Sequence, residues 1–131
     1  MKSLVVEDEF TSRVLLQSIL SRYGECHIAV NGKEAVSAFL IARNEGHPYD
    51  LICMDIRMPE MNGQEALNEI RTHEKAAGIS SSEGVKIVMT TGVDDPKNVM
   101  AAFHKLCDAY LVKPIDKAKV LDCIEELRVI K

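Results

Sequence analysis

The sequence has no run of five or more basic residues, no CxxC pair and no long apolar lead-in. Each absence excludes something. Without a basic stretch, and with a formal net charge of -4, the chain has little electrostatic footing on a phosphate backbone. Nucleic acid is therefore not expected as a direct partner. Cys26, Cys53, Cys107 and Cys123 are scattered, two of them inside the apolar runs "LICMD" and "KLCDAY". They read as free thiols in a reducing compartment. The opening "MKSLVVEDE" meets acids after four apolar residues, too few for a signal peptide or a membrane span. A cytoplasmic location with no membrane partner is the expectation. There is no internal repeat, and the only shift in composition is the Ser- and Gly-rich stretch 78–84, too short for a linker.

What is present fits one domain. The 131 residues are 47% hydrophobic and 27% charged, enough for a real core and a solvated surface. Short apolar runs alternate with longer helical patterns. Strands are expected at 3–7, 26–30, 49–55, 85–91 and 109–113. The first helix, from Phe10, would turn Val14, Leu15, Ile19 and Leu20 inward and stop at Gly24. The second would be capped by Asn31 and bury Ala35, Val36, Phe39 and Leu40. A third would bury Ala66, Leu67 and Ile70. A fourth is expected at 96–106. The last, 116–130, would bury Val120, Leu121, Ile124 and Leu127. Such alternation implies a parallel sheet between two helical layers. The fold expected is an α/β, flavodoxin-like (βα)5 three-layer sandwich with strand order 2-1-3-4-5. It spans 1–131 as a single domain, with no output domain expected after the last helix.

In such sheets the ligand site lies beyond the carboxyl ends of the strands. Those ends are polar. The first strand runs into Glu7 and Asp8, the third into Asp55, the fourth into Thr90 and Thr91, and the fifth into Lys113. Strands one and three would be neighbours about 4.8 Å apart, so three carboxylates converge. At about 4 Å and an effective dielectric near 20, each pair repels by roughly 4 kcal/mol. The cluster calls for a cation or a raised pKa. All-oxygen donors favour Mg²⁺ over zinc. Lys113 lies about 10 Å from Asp55 across the sheet, within reach of a long side chain. A carboxylate nucleophile, a metal, a hydroxyl and an ammonium are the parts for moving a phosphoryl group onto Asp55. Taken singly, an acid after a strand is usually a turn residue and a Glu-Asp pair is usually a helix cap. The inference rests on all the strand ends together.

The segments "LVVEDE", "DLICMDIRMPEMNG", "VMTTG" and "AYLVKP", in this order and spacing, resemble the signature segments of response-regulator receiver domains, the CheY-like family of two-component signalling. The resemblance covers essentially the whole chain. It implies that Asp55 is the phospho-accepting aspartate, that Asp8 ligates Mg²⁺ directly and that Glu7 acts on the metal through water. It further implies the backbone carbonyl of Arg57 as a ligand, and Thr91 and Lys113 as partners of the phosphoryl oxygens. Thr91 and Tyr110 would form the switch pair, and the Lys113–Pro114 bond would be cis. Two departures stand out. The acid pair is Glu-Asp where Asp-Asp is commonest, and Gly92 follows Thr91 where Ala is usual. The loop 78–84 is longer than in minimal receivers and resembles receivers of hybrid kinases.

The expected function is that of a stand-alone response regulator, a phosphoprotein of a phosphorelay. A histidine kinase or a histidine phosphotransfer protein would supply the phosphoryl group. The 96–130 face would then switch for a downstream target or pass the group onward. The chain would not be an enzyme beyond its own phosphorylation and dephosphorylation. Three rivals are weaker. A haloacid-dehalogenase-like phosphatase would carry DxD, and here the second position is Arg57. A flavodoxin would carry a Ser/Thr-rich phosphate loop where this chain has "EDEFTS". A constitutive receiver-like docking module would not need Asp55, Asp8 and Lys113. His27, His47, His73 and His104 show no metal spacing. Met54, Met58, Met61 and Met89 read as packing residues.

Overall fold

The computed structural model describes residues 1–58, 60–80, 83–92 and 106–129. The five apolar runs become strands β1 (Ser3–Val6), β2 (Cys26–Ala29), β3 (Leu51–Asp55), β4 (Lys86–Thr91) and β5 (Ala109–Val112). All pair in parallel, in the order β2-β1-β3-β4-β5 that the sequence leads one to expect. Parallel strands covered on both faces need unbroken apolar runs. β1 and β3 are buried along their whole length, whereas β2 and β5, at the sheet edges, are mostly half-buried.

Four α-helices are described: α1 (Phe10–Leu20), which runs on into a 3-10 turn at Ser21–Tyr23, α2 (Gly32–Asn44), α3 (Gly63–Ala76) and α4 (Lys117–Glu126). Their starts are encoded locally. The Asn31 and Asp116 side chains accept from the amides of Glu34 and Lys119. Asn62 and Glu65 form a reciprocal capping box on α3. The helix expected at 96–106 lies outside the described residues, as does Pro59. Among the described residues, no helix is long and apolar enough to cross a membrane.

Strand alternation divides the core in two. Leu4, Val6, Ile52, Met54, Ile87 and Met89 pack beneath α2 and α3. Val5, Cys53, Val88 and Leu111 face the other way, under α1 and α4. Burial pushes up the thiol pKa values of Cys53 and Cys123, the latter to about 11, and all four cysteines are free. The helical faces differ in part from the sequence expectation: Leu40, Leu121 and Leu127 are only half-buried, Cys123 is buried beside Val120 and Ile124, and the largest departure is in α1. α1 buries Leu16, Ile19 and Leu20, while Val14 is 43% exposed. Leu16, Ile19 and Leu20 form the i, i+3, i+4 stripe that meets the sheet, and Val14 falls outside it.

A buried ionic network closes the amino-terminal end of the sheet. Arg71 of α3 donates through Nη1 to Glu74 Oε1 at 2.7 Å and to the Val85 carbonyl at 2.9 Å. Its Nε reaches the Leu106 carbonyl at 2.8 Å and its Nη2 reaches Asp108 Oδ2 at 3.0 Å. Glu74 and Asp108 in turn accept from the amides of Val85 and Ile87, each at 2.8 Å. Gly84 leaves room for this: a Cβ there would lie 2.3 Å from the Glu74 carboxylate. Removing one member strands the others in a dry environment. Arg71→Ala is expected to cost about 3–5 kcal/mol in urea unfolding, and a loss below about 1 kcal/mol would mean that the network behaves like a surface pair.

Candidate functional site: three carboxylates and one ammonium

The sheet alternation that sorts the core also builds the site. Val5, Cys53, Val88 and Leu111 share one face. Two residues further on, the same face carries Glu7, Asp55, Thr90 and Lys113. The ladder pattern runs on past the strand ends, through Glu7 N to the Ala29 carbonyl at 3.1 Å and Lys113 N to the Thr91 carbonyl at 2.7 Å. Asp55 and Thr90 stand level in register, and Lys113 lies one step further along β5, since Leu111 is the residue opposite Thr90.

Glu7 is fully buried, Asp55 is 8% exposed, and Asp8 is exposed at the rim. Each offers one carboxylate oxygen such that all three oxygens lie within 4.8 Å of one another. The Lys113 ammonium crosses from β5 and donates to Glu7 Oε1 at 2.7 Å and to Asp55 Oδ2 at 3.3 Å. The Lys113–Pro114 peptide is cis. The amide of Arg57 points at Asp55 Oδ1 from 3.4 Å, a long contact.

The charges are unevenly settled. Burial pushes the Glu7 carboxyl up to about 7; a hydrogen bond with Asp55 adds to the rise, and Lys113 opposes it. Burial alone would lower the Lys113 ammonium, but its hydrogen bond with Glu7 and the charges of Asp55 and Glu7 outweigh this and hold its pKa above the ordinary value. Among the described residues the cations at the site are Lys113, on two of the carboxylates, and Arg13, whose Nη1 lies 3.4 and 3.5 Å from the Glu7 and Asp8 backbone carbonyls; against three acids they leave an excess of negative charge. Hard oxygen donors at this spacing suit a hard divalent cation of the Mg²⁺ class, with room for waters at the rim.

The loop that follows β3 is held by close backbone packing. The Gly63 amide donates to the Ile56 carbonyl and the Gly32 amide to the Met61 carbonyl, each at 2.8 Å. A Cβ on Gly63 would lie 2.3 Å from the Asp55 carbonyl oxygen. Glu60 takes a left-handed φ of 65°, which strains an ordinary residue.

Of the residues expected from the sequence, Glu7, Asp8, Asp55 and Lys113 meet. Thr91 is buried at the end of β4, and among the described residues its hydroxyl bonds only to the Gly92 carbonyl, at 3.4 Å. Tyr110 is half-buried beside Met89, against the core under α2 and α3. Sequence reasoning named Thr90 at the end of the fourth strand but gave it no role; in the structure it pairs directly with Asp55 in register. Counting by twos from Val88 separates it from Thr91 and puts it on the face of Asp55.

The response regulator receiver domain family matches residues 3–125, and the chain belongs to that family. It is 30% identical over 129 residues to the sensory/regulatory protein RpfC of Xanthomonas campestris, covering 98% of this chain but 17% of RpfC. The chemotaxis protein CheY of Listeria monocytogenes is 30% identical over 128 residues, covering 96% of this chain and 97% of CheY. Among solved structures, the receiver domain of Saccharomyces cerevisiae Ssk1, crystallised with the histidine phosphotransfer protein Ypd1, matches with a TM-score of 0.80 at 30% identity. That match covers 97% of this chain and 88% of the other. The receiver domain of the Arabidopsis thaliana histidine kinase CKI1, in complex with Mg²⁺ and BeF3⁻, matches with a TM-score of 0.78 at 31% identity, covering 97% and 89%.

The charge balance makes a direct prediction for the metal-free protein. Glu7→Gln removes a buried charge from a repelling set and should raise stability by about 1 kcal/mol, or about 4 °C in melting temperature. Lys113→Met removes the neutralising ammonium and should lower stability by about 1–3 kcal/mol. Thermal unfolding in EDTA checks both, and shifts of the opposite sign would contradict this balance.

Proposed function

We propose that this chain accepts a phosphoryl group on Asp55 from a phosphohistidine of a histidine kinase or a histidine phosphotransfer protein, with residues 1–131 working as one receiver domain. The observation that carries this reading is the Lys113 ammonium, 2.7 Å from Glu7 and 3.3 Å from Asp55 within a set of three carboxylates. Such a site suits a divalent cation beside the ammonium and holds a nucleophile already oriented. The relationship to the Ssk1 receiver, crystallised with Ypd1, supports the choice of donor.

A carboxylate oxygen of Asp55 forms the new bond to phosphorus as the P–N bond breaks. The imidazole, protonated on its other nitrogen, departs neutral with the bonding pair. Lys113 pairs with a phosphoryl oxygen, and the Thr91 hydroxyl turns from Gly92 to bond another. Asp8, Asp55 and the Arg57 carbonyl would hold Mg²⁺, with Glu7 acting through water. When bound, the metal would neutralise charge on the transferring group. The similarity to the CKI1 receiver, crystallised with Mg²⁺ and BeF3⁻, supports Mg²⁺ as the cation.

Phosphorylation adds about two negative charges at the end of β3. Thr91 and Tyr110 then move together, and the 96–130 face, of which 106–129 are described, changes for a downstream protein. Water attacks the same acyl phosphate and resets the switch. No separate substrate is turned over. The four scattered free thiols fit a cytoplasmic place of action.

Intact mass after incubation with acetyl phosphate and Mg²⁺ tests the reading. The native chain should gain one phosphoryl group, only with Mg²⁺, and Asp55→Asn should gain none. No gain in the native chain would overturn the phosphoacceptor reading and leave a constitutive docking module.

A further inference from the structure

Thr90 is 1% exposed, and its hydroxyl finds no hydrogen-bond partner among the described residues. A buried hydroxyl left unpaired costs about 1–3 kcal/mol relative to a satisfied one. Its place in the fold is specific. Thr90 pairs in register with Asp55 on one side and with Leu111, two residues before Lys113, on the other. All of them use the face shared by Val88 and Cys53. Lys113 is anchored at the end of β5, while its ammonium sits against Asp55 of β3 and Glu7 beyond β1. β4 lies between β3 and β5. By register Lys113 starts opposite Gly92 and its ammonium ends at Asp55, opposite Thr90, so the lysine stem crosses β4 between the levels of Gly92 and Thr90.

The ammonium has three N–H donors. Two are engaged, by Glu7 at 2.7 Å and Asp55 at 3.3 Å. A phosphoryl group on Asp55 converts a carboxylate oxygen into a bridging oxygen and inserts three bulky, charged oxygens at the strand end. The ammonium must then yield its contact with Asp55 and draw back along its own stem. That path leads over β4.

We propose that Thr90 is a positioning residue: its hydroxyl accepts a hydrogen bond from the Lys113 ammonium in the phosphorylated state and holds that ammonium against a phosphoryl oxygen. This rests on the reading of Asp55 as phosphoacceptor. The hydroxyl that is without a partner among the described residues thus gains one when the site is loaded. It also accounts for two successive threonines at the end of β4, one on each face of the strand, with Thr90 serving Lys113 and Thr91 serving the phosphoryl group.

Thr90→Val keeps the shape and removes the hydroxyl, and Thr90→Ser keeps the hydroxyl. Both are compared with the native chain for the rate of phosphorylation by acetyl phosphate with Mg²⁺ and for the half-life of the acyl phosphate. Because Thr90→Val also removes an unpaired buried group, its unmodified form should melt at or above the native temperature. The expected result is a rate of phosphorylation about tenfold lower in Thr90→Val, with recovery in Thr90→Ser. Rates within about twofold of native for Thr90→Val would overturn the assignment to Thr90 while the native chain still gained its phosphoryl group. No phosphorylation of the native chain would instead overturn the phosphoacceptor reading, and this inference with it.

Discussion

A single ammonium stands between three carboxylates and their mutual repulsion. Lys113 reaches from the end of one edge strand to the middle of the sheet, where Glu7 and Asp55 share it. The sheet order brings these groups together, since β1 and β3 are neighbours and β5 lies two strands away. The neutralisation is incomplete: among the described residues Lys113 is the one cation bonded to the carboxylates, with Arg13 on the neighbouring backbone carbonyls, against three acids. An under-compensated acidic cluster at the open end of a sheet is a place where a cation and an anionic phosphoryl group can enter together, each offsetting the charge of the other.

The two ends of the sheet do different work. At the amino-terminal end, Arg71, Glu74 and Asp108 form a closed network in which each carboxylate also takes a backbone amide. Buried charges satisfied in this way fix α3 against β4 and the segment leading into β5. At the carboxyl-terminal end the groups are left partly unsatisfied. Glu7 carries a carboxyl pushed up toward neutral pH, and Thr90 a hydroxyl without a partner among the described residues. The rigid end holds the strands in register, and the strained end can respond to what binds there.

Much of this was legible in the sequence. The five apolar runs are short, bounded by Gly, Pro and acids, and separated by helical patterns, so alternation and strand order followed from handedness and connection rules. The acids at the strand ends were legible because each interrupts an apolar run at the place where parallel sheets bind ligands. Three features were not. α1 offers Val14, Leu15, Leu16, Ile19 and Leu20, enough apolar residues for more than one stripe, and only packing against the sheet selects Leu16 over Val14. The Arg71 network joins residues up to 37 positions apart, which no local pattern encodes. Thr90 was hidden by its neighbour, since two adjacent threonines look interchangeable until strand register assigns them to opposite faces.

The most direct measurement is the position of the modified residue. After treatment with a phosphohistidine donor and Mg²⁺, borohydride reduction converts an acyl phosphate into an alcohol that peptide mass mapping can locate. The account predicts a single reduced residue, at Asp55. Reduction at Asp8 or Glu7, or at no residue while phosphate is retained on a histidine such as His27, would contradict it.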